Sequence, residues 1–154
     1  MIIDRTAQDV ARWKELHDKG WLAMTADERT EWLGEMKGRY SYTDMNRVED
    51  ATAELSELFV LSGWLSEPLE TMSWSHLAIP AKEDMERYFG NVQTLRNAAP
   101  VLYHETPHAP SIEQPFDYQR ANDLEQILID LKKIYYEQTT GGGYHAGEVY
   151  SGEV

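Results

Sequence analysis

The chain has 154 residues, no cysteine, and 14 basic against 27 acidic side chains, a formal charge of −13. That length suits one domain with a real core, and the missing cysteines exclude a disulfide scaffold, thiolate zinc sites and cysteine nucleophiles. A field this negative repels phosphate backbones and anionic bilayers, so neither nucleic acid nor a membrane is expected as a partner.

The start, Met1-Ile2-Ile3-Asp4-Arg5, has neither the basic segment nor the apolar run of a signal peptide, and no stretch approaches the roughly 20 apolar residues of a membrane span. A soluble protein is expected. Five tryptophans and nine tyrosines predict a packed fold, since disordered chains are poor in aromatics.

Helix signals follow in chain order. Thr6-Ala7-Gln8-Asp9 and Thr25-Ala26-Asp27-Glu28 each place an acid three residues after a hydroxyl, the pattern of a capping box. Val10, Trp13 and Leu16 form one stripe of the first helix, and Gly20 is its natural stop. The second helix carries Trp32, Leu33 and Met36 and is expected to stop at Gly38. A third, longer helix begins near Thr43, shows Met45, Val48, Thr52, Leu55 and Phe59 on one face, and ends by Gly63. Residues 64–80 hold Trp64, Leu65, Leu69, Met72, Trp74 and Leu77, too many apolar groups for a free linker, so a packed loop with a short turn of helix or strand is expected.

A fourth helix follows Pro80, with Met85, Tyr88, Val92 and Leu95 on its face, and ends at Pro100. Pro100, Pro107, Pro110 and Pro115 then preclude regular helix or a central strand. The fifth helix runs from about Tyr118 to Gln138 and presents Ala121, Leu124, Leu128, Leu131 and Tyr135. The predicted fold is all-α: a bundle of about five helices joined by aromatic- and proline-rich loops. It divides into a helical domain, 1–140, and a tail, 141–154, hinged at Gly141-Gly142-Gly143.

Two of the helices look like copies. Tyr42, Asn46, Val48 and Glu49 match Tyr118, Asn122, Leu124 and Glu125 in a Tyr-x-x-x-Asn-x-apolar-Glu frame, with Leu55 and Leu131 following at the same distance. The fourth helix echoes the third through Asp84-Met85-x-Arg87 against Asp44-Met45-x-Arg47. Residues three and four apart share a helix side. The frame therefore serves either as a polar contact for a partner or as a capping and packing motif, and the second reading is preferred.

His104-Glu105-Thr106-Pro107-His108 satisfies H-E-x-x-H, which binds zinc when a helix puts both imidazoles on one face. Pro107 removes a helix donor and drives Thr106 from the α region, so a metal-dependent hydrolase on these residues is only the alternative reading. Among the many carboxylates, Glu49 opposite Ala53 and Glu83 opposite Arg87 are expected to lie on solvated surface, with no pair singled out as general acid and base. Serine has no G-x-S-x-G context, and the triple glycine lacks the Lys and Ser/Thr of a phosphate loop. DNA mimicry needs uninterrupted acidic faces, whereas cations are interleaved from Arg5 to Lys133. No cofactor is expected.

The tail repeats Gly-Glu-Val, at Gly147-Glu148-Val149 and Gly152-Glu153-Val154. Such a segment is either a disordered end or an edge strand added to a neighbouring subunit, with Val149, Tyr150 and Val154 as its alternating contacts. Together with Tyr42, Asn46, Tyr118 and Asn122 they make up the candidate interface.

Asp4-Arg5-Thr6 with Asp9-Val10, the stretch from Gly38 to Glu49, the stretch from Asp84 to Val92, Ala121-Asn122-Asp123-Leu124-Glu125 and the closing Tyr150-Ser151-Gly152-Glu153-Val154 carry a family resemblance over nearly the whole chain. The sequence resembles small virion-associated proteins of phages and prophages of Gram-positive bacteria, notably gut clostridia. The resemblance implies a non-enzymatic structural part of a tail, baseplate or fibre region, made in the host cytoplasm and located in the virion. It implies other virion proteins as partners and brings no site residues with it. A homo-oligomer is expected, and a soluble adaptor for a host protein is a further alternative.

Overall fold

The computed structural model describes residues 1–34, 36–77 and 79–140. Both threonines start helices as their contexts predict. The Thr6 hydroxyl accepts from the Asp9 N–H at 3.2 Å, and the Asp9 carboxylate accepts from the Thr6 N–H at 2.8 Å. Thr25 and Glu28 make the same exchange. Helix α1 spans Ala7–Lys19 and stops at Gly20, whose φ of 74° lies where a side chain is disfavoured. After a 3-10 turn, Trp21–Ala23, helix α2 covers Ala26–Leu33.

The second helix is shorter than its sequence pattern predicts. Gly34, not Gly38, ends it: the Gly34 N–H returns to Thr30 and Glu31 while its backbone turns extended at ψ 176°. Leu33 consequently faces solvent instead of a core. Gly38 is needed for a different reason. A Cβ there would stand 2.0 Å from the carbonyl oxygen of Asp9, so only a hydrogen lets the two segments touch.

Helix α3 spans Tyr42–Leu61, α4 spans Lys82–Ala98 and α5 spans Tyr118–Thr139. Asp44 and Asp84 accept the N–H of Ser41 and Ala81, and the Asp117 carboxylate caps its own helix through the Arg120 N–H. The expected stripes are the buried ones: Val48, Leu55 and Phe59 on α3, Tyr88, Val92 and Leu95 on α4, and Leu124, Leu128 and Leu131 on α5.

The three long helices run parallel. Arg47 meets Glu125, Glu54 meets Lys132, and Phe59 stacks on Tyr135, so both α3 and α5 advance in the same direction. Along α4, Phe89 lies by Phe116 ahead of α5, while Arg96 holds the Thr106 carbonyl, whose side chain reaches Asp130 well inside α5. Parallel neighbours need long returns, and this is what residues 62–81 and 99–117 supply. In the first return, Leu69 gives its N–H to Ser56 and Trp74 comes back to Asn46. In the second, the Pro107 carbonyl accepts from Arg96 and the Ala109 N–H goes to Gln93.

The first return packs Trp64, Leu65, Leu69 and Trp74 against the core but leaves Met72 and Leu77 outside, and its described residues form no helix or strand. The apolar count is right for a packed loop. Two of its six apolar groups stay outside, Met72 in part and Leu77 almost wholly.

Among the described residues there are five α-helices, one 3-10 turn and no strand. None of these helices is long and apolar enough to cross a membrane. The candidate strand contacts Val149, Tyr150 and Val154, and the glycine hinge, lie outside the described residues.

Candidate functional site

The most densely constructed place in the molecule is a buried cluster of four charges where the first residues of the chain cross α3 and α5. Arg5 is 3% exposed. Its Nη2 donates to Asp44 Oδ1 at 2.9 Å and to Glu125 Oε1 at 2.7 Å. Arg47 meets Glu125 with both Nε, at 3.0 Å, and Nη2, at 2.8 Å, and its Nη2 also reaches Asp44 at 2.5 Å. Two cations and two anions balance, which is the condition for burying any of them. The remaining capacity of Glu125 is met by the Ile2 N–H at 2.5 Å.

Burial alone would raise both carboxyls. For Glu125 the hydrogen bonds from Arg47 and Arg5 outweigh that penalty, and for Asp44 the Ser41 N–H and Arg47 do so, so both are held below their ordinary values. Arg47 is pushed upward by the same partners, Glu125 first. Carboxylates kept this firmly ionised make poor proton donors near neutral pH. The Arg5 guanidinium also lies 5.3 Å from the centre of the Tyr40 ring. Tyr40 in turn hydrogen-bonds Tyr88 across 2.7 Å, and burial pushes both phenols up.

A second ion pair repeats the arrangement one helix over. Glu49, 3% exposed, takes Arg87 in a two-point contact of 2.6 and 3.1 Å and accepts the Trp74 indole N–H at 3.1 Å. Thus Asp44-Met45-x-Arg47 delivers an arginine from α3 to the α5 glutamate, and Asp84-Met85-x-Arg87 delivers one from α4 to the α3 glutamate. The asparagines repeat too. Asn46 accepts the Trp74 N–H at 2.7 Å and donates to the Trp74 carbonyl at 3.0 Å. Asn122 accepts the Arg5 N–H at 3.1 Å and donates to the Arg5 carbonyl at 2.9 Å.

This corrects the solvated-surface reading of the helix acids. Glu49 is buried against Arg87 rather than exposed opposite Ala53, and Arg87 is taken by Glu49 rather than by Glu83. The signal was present in the sequence: Glu49 lies four residues after Met45 and three before Thr52, and Glu125 four after Ala121 and three before Leu128, so both fall on the buried stripe of their helices. Arg5 carried no such signal, because its partners lie more than a hundred residues away or on another helix.

Of the four candidate interface residues on helices, Asn46 and Asn122 spend their amides inside the chain. Tyr42 is 38% exposed, with His76 6.1 Å from its ring, and Tyr118 is half-buried beside a cleft of about 300 Å³ shared with Tyr40 and Phe116. His104, Glu105 and His108 are all exposed, on a non-helical segment held down by Thr106 and Arg96. Among the described residues no three side chains able to ligate a metal come together. Asp123 has a raised carboxyl, through burial and the neighbouring Asp117, and lines a polar cleft of about 250 Å³ with His108 and Arg120.

Five aliphatic side chains among the described residues are more than three-quarters exposed: Leu22 in the 3-10 turn, Leu33 at the end of α2, and three at the ends of the parallel helices. Leu77 and Ile79 precede α4 and are 80% and 92% exposed, while Leu61 closes α3 at 81%. Comparison with protein-family models, curated proteins and solved structures finds no match to the chain.

Proposed function

We propose that the protein is a non-enzymatic structural component of a bacteriophage or prophage particle, in its tail, baseplate or fibre region, and that it acts by assembly with itself and with neighbouring virion proteins. The observation that carries this reading is the exposure of Leu61, Leu77 and Ile79 at the two ends of the helical body. Leu77 and Ile79 form a bare aliphatic pair two residues apart, and apolar groups exposed together mark contact sites more often than they mark chemistry. The buried acids favour the same reading, since Asp44, Glu49 and Glu125 hold segments together and are fully engaged in doing so. The resemblance to virion-associated proteins supplies the particle.

Mass spectrometry of purified particles from an induced lysate tests this. The chain is expected at a fixed copy number per particle. A chain abundant in the lysate but missing from particles would sink the structural reading and bring the host-adaptor alternative forward.

A further inference from the structure

The three long helices and their returns share one apolar core, and none of residues 7–33 takes part in it. The α1–α2 hairpin has two buried apolar side chains, Leu16 and Met24, and both lie outside that core. Helix α1 packs on α2 and on the 3-10 turn. Polar contacts follow the same division. Arg12 meets Glu31, Lys19 meets Glu28, and Arg29 donates to the Trp21 carbonyl and lies over its ring. Among the described residues, every side-chain hydrogen bond made from 7–33 ends within 6–33.

The hairpin leaves and re-enters the body at one place, because Arg5 ahead of α1 is paired with Asp44 on α3 at 2.9 Å. Beside that root lies the cleft of about 300 Å³, with Val10 and Gly38 on the hairpin side and Phe116, Tyr118 and Ala121 on the other. Two buried apolar groups and a few exposed ion pairs hold a hairpin far less firmly than the thirteen buried side chains of the core hold the body. Segments that differ this much in burial open at different free energies. We propose that residues 6–34 form a lid that opens as one cooperative unit, while residues 2–5 and the α3–α5 body stay folded, and that its opening uncovers the Tyr118–Ala121 wall of the cleft. The lid is a property of the single chain and stands or falls apart from any role in a particle.

Hydrogen exchange of the full chain in low urea tests the cooperative unit. Amides of α1 and α2 are expected to share one opening free energy with a shallow urea dependence, well below that of α3, α4 and α5. Leu16→Ala is expected to speed exchange in α1 and α2 by ~100-fold and to leave the long helices unchanged. Complete loss of protection in α1 and α2 with the body still protected is the same result taken to its limit. The cleft is read separately with thiols, since the chain has no cysteine of its own. Ala121→Cys, at a residue 1% exposed, is expected to react with a thiol reagent at the opening rate of the α1 amides and to speed up with them in Leu16→Ala. Val92→Cys, in the body core, is expected to react only through global unfolding. One opening free energy shared by all five helices overturns the proposal, as does a Leu16→Ala that loosens the body as much as the hairpin. Ala121→Cys labelling that is indifferent to Leu16→Ala, or that is as slow as that of Val92→Cys, removes the lid.

Discussion

Asn46 and Asn122 occupy matching places on two parallel helices, and each grips both the N–H and the C=O of one residue in an extended segment, Trp74 for the first and Arg5 for the second. One side-chain amide thereby satisfies two main-chain groups that no sheet or helix could reach. The glutamate three residues on completes the grip in both cases, Glu49 on the Trp74 indole and Glu125 on the Arg5 guanidinium.

Removing an asparagine should leave the gripped backbone unsatisfied. Asn46→Ala and Asn122→Ala are each expected to cost about 1–3 kcal/mol, read from urea unfolding. The two differ locally. Hydrogen exchange should speed up at the Arg5 amide in Asn122→Ala and at the Trp74 amide in Asn46→Ala, with the other site unchanged.

Glu125 is the most exacting position. Its carboxylate is wholly buried and serves two arginines. Glu125→Ala leaves Arg5 and Arg47 with Asp44 alone, and an expected loss of about 3–5 kcal/mol follows from stranding a buried charge. Arg47→Ala should cost less, because the Arg47 side chain is a quarter exposed and Arg5 remains to balance Glu125. Equal losses in the two variants would argue against this ranking.

Acid should loosen the same cluster. Glu125 and Asp44 are depressed below ordinary values of 4.5 and 3.8. Groups depressed by folding contribute stability that is complete above those ordinary values and is lost as pH falls through the lower, folded ones. The urea midpoint should therefore be flat above about pH 5 and drop below about pH 4, and Glu125→Gln should shrink that drop. A midpoint in Glu125→Gln that falls as steeply as in the wild type would place the acid sensitivity elsewhere.

Two glycines predict opposite outcomes for the same change. Gly38→Ala pushes a methyl into the Asp9 backbone and is expected to destabilise by at least about 2 kcal/mol, freeing the α1–α2 hairpin. Gly90→Ala meets nothing within 4 Å inside α4 and should stabilise by about 0.5–1 kcal/mol through helix propensity. Thermal melts of the two variants, shifting in opposite directions, check both.

Most of the helical layout was legible in the residues because its causes are local. Capping boxes at Thr6 and Thr25, the glycine stop at Gly20 and the apolar stripes of α3, α4 and α5 depend on neighbours within a turn or two. The second helix was the exception. Gly34 ended it early, while Gly38, which reads as a stop, turned out to be a point of close approach set by Asp9 across the fold. Residues 62–81 and 99–117 looked only like packed or proline-broken connections, although their length is what parallel helices require.

Residue order alone was enough to read an all-helical body, the places of its helices apart from the end of the second, and the double occurrence of Tyr-x-x-x-Asn-x-apolar-Glu. Hydrogen bonds within a turn and the helical period suffice for that. It took the folded chain to reveal that α3, α4 and α5 point the same way, that Arg5 joins Asp44, Arg47 and Glu125 in one buried cluster, and that Glu49 is buried against Arg87. These depend on which distant segments meet, and a buried charge shows its purpose only when the opposite charge brought to it by the fold is known.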